Sequence, residues 1–240
     1  MDTIHLSNKG KTLMVAHRGV SGLEKENTMP AFVAAGNRSF YGIETDVHKT
    51  LDGKYVCIHD DTTARVAIDD MVVEKTTYDT LRSLMLCDTD GKKGRTDLRI
   101  PSLAEYISVC KRYGKYAVLE LKNAFEEEDI YEICSIIEEM EYLDHVVFIS
   151  FCLDNLIFLR KKYPTQAAQF LVSTFEDGLI DTLLEHKLDL DIRHKALDAE
   201  KIAACHAADI FVNCWTVNDP EIAEKLIAAG IDCITTNILE

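Results

Sequence analysis

The sequence predicts an α/β fold, a TIM (β/α)8 barrel with a small insertion after its second strand. The chain has 240 residues, which suits one such barrel. Short apolar runs alternate with segments of helical periodicity, a pattern typical of parallel strands joined by helices. An open sheet fits that alternation equally well, but eight strand runs remain once one hairpin arm is set aside, and eight is the barrel number. We therefore interpret residues 1–240 as one barrel domain in which about residues 48–100 form a hairpin arm and an insertion.

The first strand is predicted over residues 12–17. A helix over residues 30–35 follows it, with Asn27 or Thr28 as its N-cap and Gly36 at its end, because small polar residues cap helices and glycine ends them.

A hairpin arm follows the second strand, which is predicted over residues 41–47. Asp52 and Gly53 signal a tight turn between two strands, so residues 54–60 are expected to pair antiparallel with the second strand. Residues 60–100 then break the alternation with polar tracts. We expect a loop-rich insertion there, beside the mouth of the barrel.

The alternation resumes at a capping box formed by Ser102 and Glu105, which opens a helix that runs to about Tyr113. The next helix carries apolar residues at helical spacing on one face. These residues are Ile130, Ile133, Cys134, Ile137 and Met140. Six further strands are expected to start near residues 116, 146, 167, 188, 209 and 232.

The last helix is predicted between Asp219 and Gly230, with Pro220 in its first turn. The sequence stops within a few residues of the last strand, so we expect the eighth helix to be absent or vestigial.

The composition excludes several classes of protein. Lys and Arg number 26 against 41 Asp and Glu, a formal charge of −15 that disfavours nucleic-acid and anionic-membrane partners. No apolar run approaches the ~20 residues of a spanning helix, and the N-terminus has no signal-peptide pattern. The eight cysteines contain no C-x-x-C pair and mostly lie in apolar runs. They are typical of core residues in a reduced chain, so we expect a cytoplasmic protein without stable membrane insertion.

Polar residues cluster where the first strands end, and barrel active sites lie at the C-terminal strand ends. The first strand ends in His17 and Arg18, the second carries Glu44 and Asp46 on one face, the arm ends in His59, and the third barrel strand carries Glu120 and Lys122. Seven such side chains are therefore expected on one rim.

Each of these residue types has a chemical use. The three carboxylates offer hard oxygen ligands for one divalent cation, Mg²⁺ or Ca²⁺, with Mn²⁺ possible. Arg18 and Lys122 offer positive charge for a phosphate. His17 and His59 titrate near neutrality, as an acid and base pair should. Together they predict metal-assisted attack on a phosphodiester.

The motifs AHRG, ENT, ETDV, TLDG, HD and LELK, in that order, resemble those of the glycerophosphodiester phosphodiesterase family. WTVN at residues 215–218 and GIDCITTN at residues 230–237 look like the family's late segments. The resemblance runs from about residue 14 to the C-terminus, although residues 145–208 match only by pattern.

The resemblance implies a TIM barrel that hydrolyses glycerophosphodiesters, small-molecule substrates, to sn-glycerol 3-phosphate and an alcohol. By motif match, the acid–base roles fall to His17 and His59, and phosphate binding falls to Arg18 and Lys122. The metal ligands are then Glu44, Asp46 and Glu120. In the related mechanism the glycerol 2-hydroxyl attacks phosphorus, and water opens the resulting cyclic phosphate. Which histidine acts as base is left open, as are the leaving alcohol and the oligomeric state.

Several residues have two readings. Trp215 either forms an apolar wall for the glycerol unit or fills the barrel top. Asn27 is expected to cap the first helix, and either Glu26 or Asn27 could also touch the site. His48 either lies near the metal or is carried away by the hairpin. Asn237 stands where many relatives have an acidic residue, which the chemistry above does not require.

Three other functions compete with this one. A barrel of the same fold acting on another phosphodiester or a lysophospholipid remains an alternative. An amidohydrolase should have a His-x-His pair on its first strand, where this chain has only His17. A catalytically silent metabolite-binding barrel is disfavoured because both histidines are present.

Overall fold

Eight parallel strands close into a barrel in the computed structural model, which describes residues 2–240. The closure is made by β1, which pairs with β2 on one side and β9 on the other. The barrel strands are β1 (Leu13–Ala16), β2 (Gly42–Lys49), β4 (Tyr116–Leu121), β5 (Val146–Ser150), β6 (Ala168–Val172), β7 (Asp189–Arg193), β8 (Val212–Trp215) and β9 (Cys233–Thr236). The predicted fold is confirmed, and the expected strand starts lie within three residues of the observed ones.

The arm predicted from the Asp-Gly turn is also present. Strand β3 (Tyr55–Cys57) pairs antiparallel with the end of β2, with Val47 opposite Cys57. It therefore stands outside the parallel barrel and brings the residues after it back toward the end of β2 that carries Asp46.

The described residues form eight α-helices. They are α1 (Met29–Gly36), α2 (Tyr78–Ser83), α3 (Leu103–Tyr113), α4 (Glu127–Glu139), α5 (Leu153–Lys162), α6 (Leu179–His186), α7 (Ala199–Ala207) and α8 (Pro220–Ala228). All but α2, which lies in the insertion, cover the outside of the barrel. Helix α3 begins with the predicted capping box, in which Ser102 and Glu105 each bond the other's backbone N–H. The side chain that caps α1 is Thr28, whose Oγ1 accepts from the backbone N–H of Ala31 at 3.4 Å.

The main core lies between the barrel and its helices, and a smaller apolar cluster fills part of the barrel interior. That cluster contains Val15, Val118, Ile149, Leu171 and Cys233. All eight cysteines are free, and six of them are buried, as expected of small core residues.

The insertion after β3 has an apolar core of its own. Two short helical segments, residues 73–75 and α2, fold over buried side chains that include Val56, Ile58 and Leu81. Two ion pairs join the insertion to the loop between β1 and α1, Arg65–Glu26 at 2.5 Å and Arg95–Glu24 at 2.6 Å. The insertion is therefore a packed unit that contacts the rim of the barrel through these ion pairs.

No helix follows β9 within the described residues, in agreement with the sequence. An extended segment replaces it, in which Ile4 bridges to Leu239 in parallel and Leu239 is fully buried. No helix within residues 2–240 combines the length and the apolar character needed to cross a membrane.

Candidate active site

The predicted site residues meet at the C-terminal rim of the barrel, around a cavity of about 100 Å³. Strand β1 delivers His17 and Arg18, β2 delivers Glu44 and Asp46, and β4 delivers Glu120 and Lys122. His59 follows β3 by two residues. The predicted residues that line the cavity are His17, Arg18, Glu44, His59, Glu120, Lys122 and Trp215, and Asp46 lies against them.

The three carboxylates form one buried cluster. Oxygen atoms of Glu44, Asp46 and Glu120 lie within 4.8 Å of one another, and no more than 6% of any of these residues is exposed. The strand register explains this proximity, because Asp46 stands directly opposite Glu120 on the neighbouring strand. Charge of one sign is thereby concentrated in a place from which water is largely excluded.

Two cations partly balance that charge. Arg18 Nε lies 3.7 Å from Asp46 Oδ2, and Lys122 Nζ lies 3.6 Å from Asp46 Oδ1 and 2.9 Å from Glu120 Oε1. The Lys122–Glu120 contact is an ion pair without hydrogen-bond geometry. Arg18 and Lys122 also line the cavity, so an anionic ligand can reach both side chains.

The charges of the three carboxyl groups differ according to their neighbours. Burial and Asp46 raise the pKa of Glu120 to about 7 and that of Glu44 well above its usual range. The nearby Arg18 and Lys122 lower the pKa of Asp46, against the effect of burial. Asp46 is therefore the carboxyl group that ionises most readily, and Glu44 and Glu120 take up protons more readily than an ordinary carboxyl group.

The two buried atoms Asp46 Oδ1 and Glu120 Oε1 have no hydrogen-bond partner among the described residues. Lys122 lies within ion-pair distance of both oxygens, but a buried carboxylate oxygen that accepts no hydrogen bond is costly unless further positive charge compensates it. Asp46 and Glu120, together with Glu44, suit a hard divalent cation with oxygen ligands. The residues present therefore fit a metal ion.

Asn27 supports this cluster from below. Its Nδ2 donates to Asp46 Oδ2 at 2.8 Å, while its Oδ1 accepts from Thr45 Oγ1 at 2.7 Å. Of the two readings from sequence, the structure favours contact with the site, because the cap of α1 is Thr28. Its backbone φ is +49°, a conformation that asparagine tolerates better than most residues.

His17 is held by Asn237. The Nδ1 atom of His17 lies 2.7 Å from Asn237 Oδ1, and Asn237 N donates to Asn218 Oδ1 at 2.8 Å. An amide oxygen accepts only, so Nδ1 carries the proton and Nε2 keeps its lone pair. Burial and Arg18 lower the pKa of His17 to about 4, so its ring is neutral at pH 7. The sequence analysis found no need for an acidic residue at position 237, and the neutral Asn237 found there contacts a candidate catalytic residue.

His59 has a carboxylate partner instead. Its Nδ1 lies 2.5 Å from Asp60 Oδ1, and Asp60 Oδ2 accepts from Arg65 Nε at 2.6 Å. Arg65 also binds Glu26, which in turn accepts from Arg18. Burial lowers the pKa of His59, and Asp60 opposes that effect. The insertion thus carries one histidine and connects it through charged groups to the first strand.

His48 belongs to the support of this arm. It is fully buried, with Nε2 at 3.3 Å from the carbonyl oxygen of His59 and Nδ1 at 3.4 Å from Glu74 Oε1. His48 does not belong to the cluster of Glu44, Asp46 and Glu120 that fits a metal ion. The hairpin therefore directs it toward the insertion.

The wall facing the charged groups is mostly apolar. Strands β5 to β8 contribute Ile149, Leu171 and Trp215, and Phe151 meets Trp215 edge-on with ring centroids 5.7 Å apart. This wall also contains one acid, Asp191 on β7, which the sequence reasoning did not single out. Burial raises the pKa of Asp191 well above its usual range.

Comparison with known families identifies the chain's relatives. Residues 17–240 match the model of the Glycerophosphoryl diester phosphodiesterase family. A glycerophosphodiester phosphodiesterase of Caldanaerobacter subterraneus subsp. tengcongensis is 29% identical over 237 residues, which cover 95% of this chain and 94% of that protein.

Solved structures show the same similarity. A phosphodiesterase of Oleispira antarctica, solved in complex with the product sn-glycerol-3-phosphate, is 28% identical, with a TM-score of 0.86 over 94% of this chain and 92% of that one. A glycerophosphodiester phosphodiesterase of Thermotoga maritima is 27% identical, with a TM-score of 0.74 over 95% of each chain.

Proposed function

Because this chain belongs to the glycerophosphoryl diester phosphodiesterase family, we propose that it hydrolyses glycerophosphodiesters to sn-glycerol 3-phosphate and an alcohol. The observation that carries the proposal is one cavity lined by two histidines, two cations and part of a buried carboxylate cluster. The product complex of the Oleispira antarctica relative supports the choice of product.

The cluster of Glu44, Asp46 and Glu120 would hold one divalent cation, with Mg²⁺ and Ca²⁺ as the first candidates and Mn²⁺ as a third. Such an ion supplies positive charge for the oxygens of the reacting phosphoryl group. Asn27 orients Asp46 for this task through its hydrogen bond.

Arg18 and Lys122 bind the phosphate beside the carboxylates. Both side chains line the cavity, and about one-sixth of each side chain is exposed, at 17% and 15%. Their charge attracts an anionic substrate into a protein whose formal net charge is −15. Charge-assisted hydrogen bonds from these groups also stabilise the negative charge that develops in the transition state.

His17 and His59 move the protons. One removes the proton of the glycerol 2-hydroxyl as its oxygen attacks phosphorus, and the other protonates the leaving alcohol. The resulting cyclic phosphate is opened by water with the two roles exchanged. Asn237 and Asp60 each fix a ring through Nδ1, so each Nε2 is left for the substrate. Trp215 forms part of the apolar wall against which the carbon atoms of the substrate pack.

The direct test is release of sn-glycerol 3-phosphate from glycerophosphocholine and glycerophosphoethanolamine, first after chelation and then with Mg²⁺, Ca²⁺ or Mn²⁺ restored. We expect no release after chelation and release with at least one cation. Release that persists in chelator would remove the metal from the mechanism. Folded protein that releases nothing with any cation would instead point to a different phosphodiester or a lysophospholipid as substrate, and these are assayed in the same series.

A further inference from the structure

The candidate cavity has two chemically different sides. Strands β1, β2 and β4 carry its cations and carboxylates, which suits them to the phosphate and a metal. Strands β5 to β8 carry apolar side chains together with Asp191. A substrate whose phosphate lies on the charged side must extend one of its two arms along the other side.

Asp191 has an unusual environment for a carboxyl group. It lies in β7, is 1% exposed, and its Oδ1 atom is buried without a hydrogen-bond partner among residues 2–240. Within the same part of the chain, no lysine, arginine or histidine lies within ion-pair distance of it. The amide of Asn213, directly opposite on β8, lies beside the Asp191 carboxyl group and donates to Thr235 Oγ1 at 3.1 Å.

A buried polar atom without a partner costs free energy, so proteins rarely keep one except where a ligand or water completes it. The indole Nε1 of Trp215 is a second buried, unpartnered polar atom on the same side of the cavity. Both groups stand on the side that the charged residues do not occupy. This side is therefore built to hydrogen-bond a neutral polar group of the substrate.

The glycerol unit offers such groups. In the proposed reaction its 2-hydroxyl attacks phosphorus and its third oxygen is esterified, so the terminal hydroxyl alone is free for recognition. We propose that Asp191 is a specificity-determining residue that hydrogen-bonds the terminal hydroxyl of the substrate's glycerol unit. This inference rests on the proposed function and identifies the terminal hydroxyl as the part of the substrate that the enzyme recognises.

The positions of the aromatic residues agree with that orientation. Phe151 is 43% exposed and packs edge-on against Trp215, whereas Asp191 is almost fully enclosed. The enclosed acid thus receives the arm that every glycerophosphodiester shares. The variable alcohol is directed toward the exposed aromatic side, where the cavity is open.

Selection against lysophospholipids follows from the same contact. A 1-acyl lysophospholipid carries an ester at the terminal oxygen, so it has no hydroxyl there to donate. It offers Asp191 no hydroxyl, and sites that bind a substrate hydroxyl discriminate strongly against analogues that lack it.

The test compares two substrates in wild-type protein with its metal restored. One is glycerophosphocholine, and the other is the phosphocholine ester of propane-1,2-diol, which keeps the attacking hydroxyl and lacks only the terminal one. We expect kcat/KM of the wild type to fall by about 10- to 100-fold on the second substrate, as for loss of a buried hydrogen bond. Asp191→Ala should lose a similar factor on glycerophosphocholine and show no further loss on the analogue. Asp191→Asn, whose amide still forms hydrogen bonds, should retain part of the preference.

Gln169→Leu is the matched control. Gln169 is also a buried barrel residue with an unpartnered oxygen, but it lines a separate cavity of about 180 Å³ that is bordered by Tyr41 and Tyr116 at the N-terminal strand ends. This variant should keep the wild-type ratio between the two substrates.

Three results would overturn the inference while the proposed function stood. These are equal wild-type rates on the two substrates, an unchanged ratio in Asp191→Ala, and a loss in Asp191→Ala confined to substrates with a cationic alcohol and absent for glycerophosphoglycerol. The last would assign Asp191 to the head group. Failure of the wild type on every glycerophosphodiester would refute the proposed function and this inference together.

Discussion

Glu120→Gln should stabilise the metal-free protein and at the same time remove its response to metal. Glu120 is a buried carboxyl group whose pKa is raised from 4.5 to about 7 by burial and by Asp46. A raised carboxyl pKa means that the folded state holds its proton more tightly than the unfolded state. The protonated Glu120 therefore contributes its full stabilisation below pH 4.5, and the wild type loses this contribution as pH rises through 7.

The size of the effect follows from the two pKa values. A difference from 4.5 to about 7 corresponds to about 3 kcal/mol of unfolding free energy, at about 1.4 kcal/mol per pH unit. Glutamine resembles the protonated acid at every pH. In chelator, Glu120→Gln should thus exceed the wild type by about 3 kcal/mol at pH 8 and by no more than about 1 kcal/mol at pH 5.

Urea unfolding in chelator at pH 5 and pH 8 measures both differences, and repeating it with Ca²⁺ or Mg²⁺ measures the response to metal. Glu139→Gln on the exposed end of α4 is the matched control, since it removes the same charge from a surface position and should change neither value. A Glu120→Gln advantage that is equal at both pH values, or a loss of stability at pH 8, would refute the reasoning.

Three further predictions concern the candidate machinery. His17→Ala and His59→Ala should each lower turnover by at least ~10² with unchanged circular dichroism, and wild-type rates in either variant would remove it from the mechanism. Asn27→Ala frees Asp46 Oδ2 from its 2.8 Å hydrogen bond, so the metal concentration needed for half-maximal activity should rise by about 10- to 100-fold. Asn237→Asp places a carboxylate beside His17 Nδ1, which should raise the pKa of His17 and move the corresponding limb of the pH–rate profile to higher pH. An unmoved limb would show that Asn237 does not influence the acting ring.

The barrel could be predicted from sequence because its signals are local. Asp52 and Gly53 identified the hairpin arm, which fixed the count at eight parallel strands. Glu44 and Asp46 share one face of a strand, and the strand order then brings them beside Glu120. Residues near the ends of neighbouring parallel strands converge for geometric reasons, so their grouping needed no knowledge of the side-chain contacts.

The supporting residues could not be predicted in the same way because their roles depend on contacts between distant parts of the chain. Asn237 meets His17 across 220 positions, and nothing near either residue indicates this. Asn27 had an adequate local explanation as a helix cap, which the structure assigns to its neighbour Thr28. Asp191 did leave a signal, since Asp189 and Asp191 alternate along a buried strand as Glu44 and Asp46 do, and two acids facing a barrel interior require an explanation.

The separate apolar core of the insertion has a consequence for how the enzyme loses activity on heating. The insertion carries His59, yet the carboxylate cluster and His17 belong to the barrel strands. Local unfolding of such a unit requires less free energy than global unfolding. We expect activity to fall at a temperature below the melting of the barrel, with amide hydrogens of residues 60–100 exchanging earlier than those of β4. Simultaneous loss of activity and of barrel structure would show that the two units unfold together.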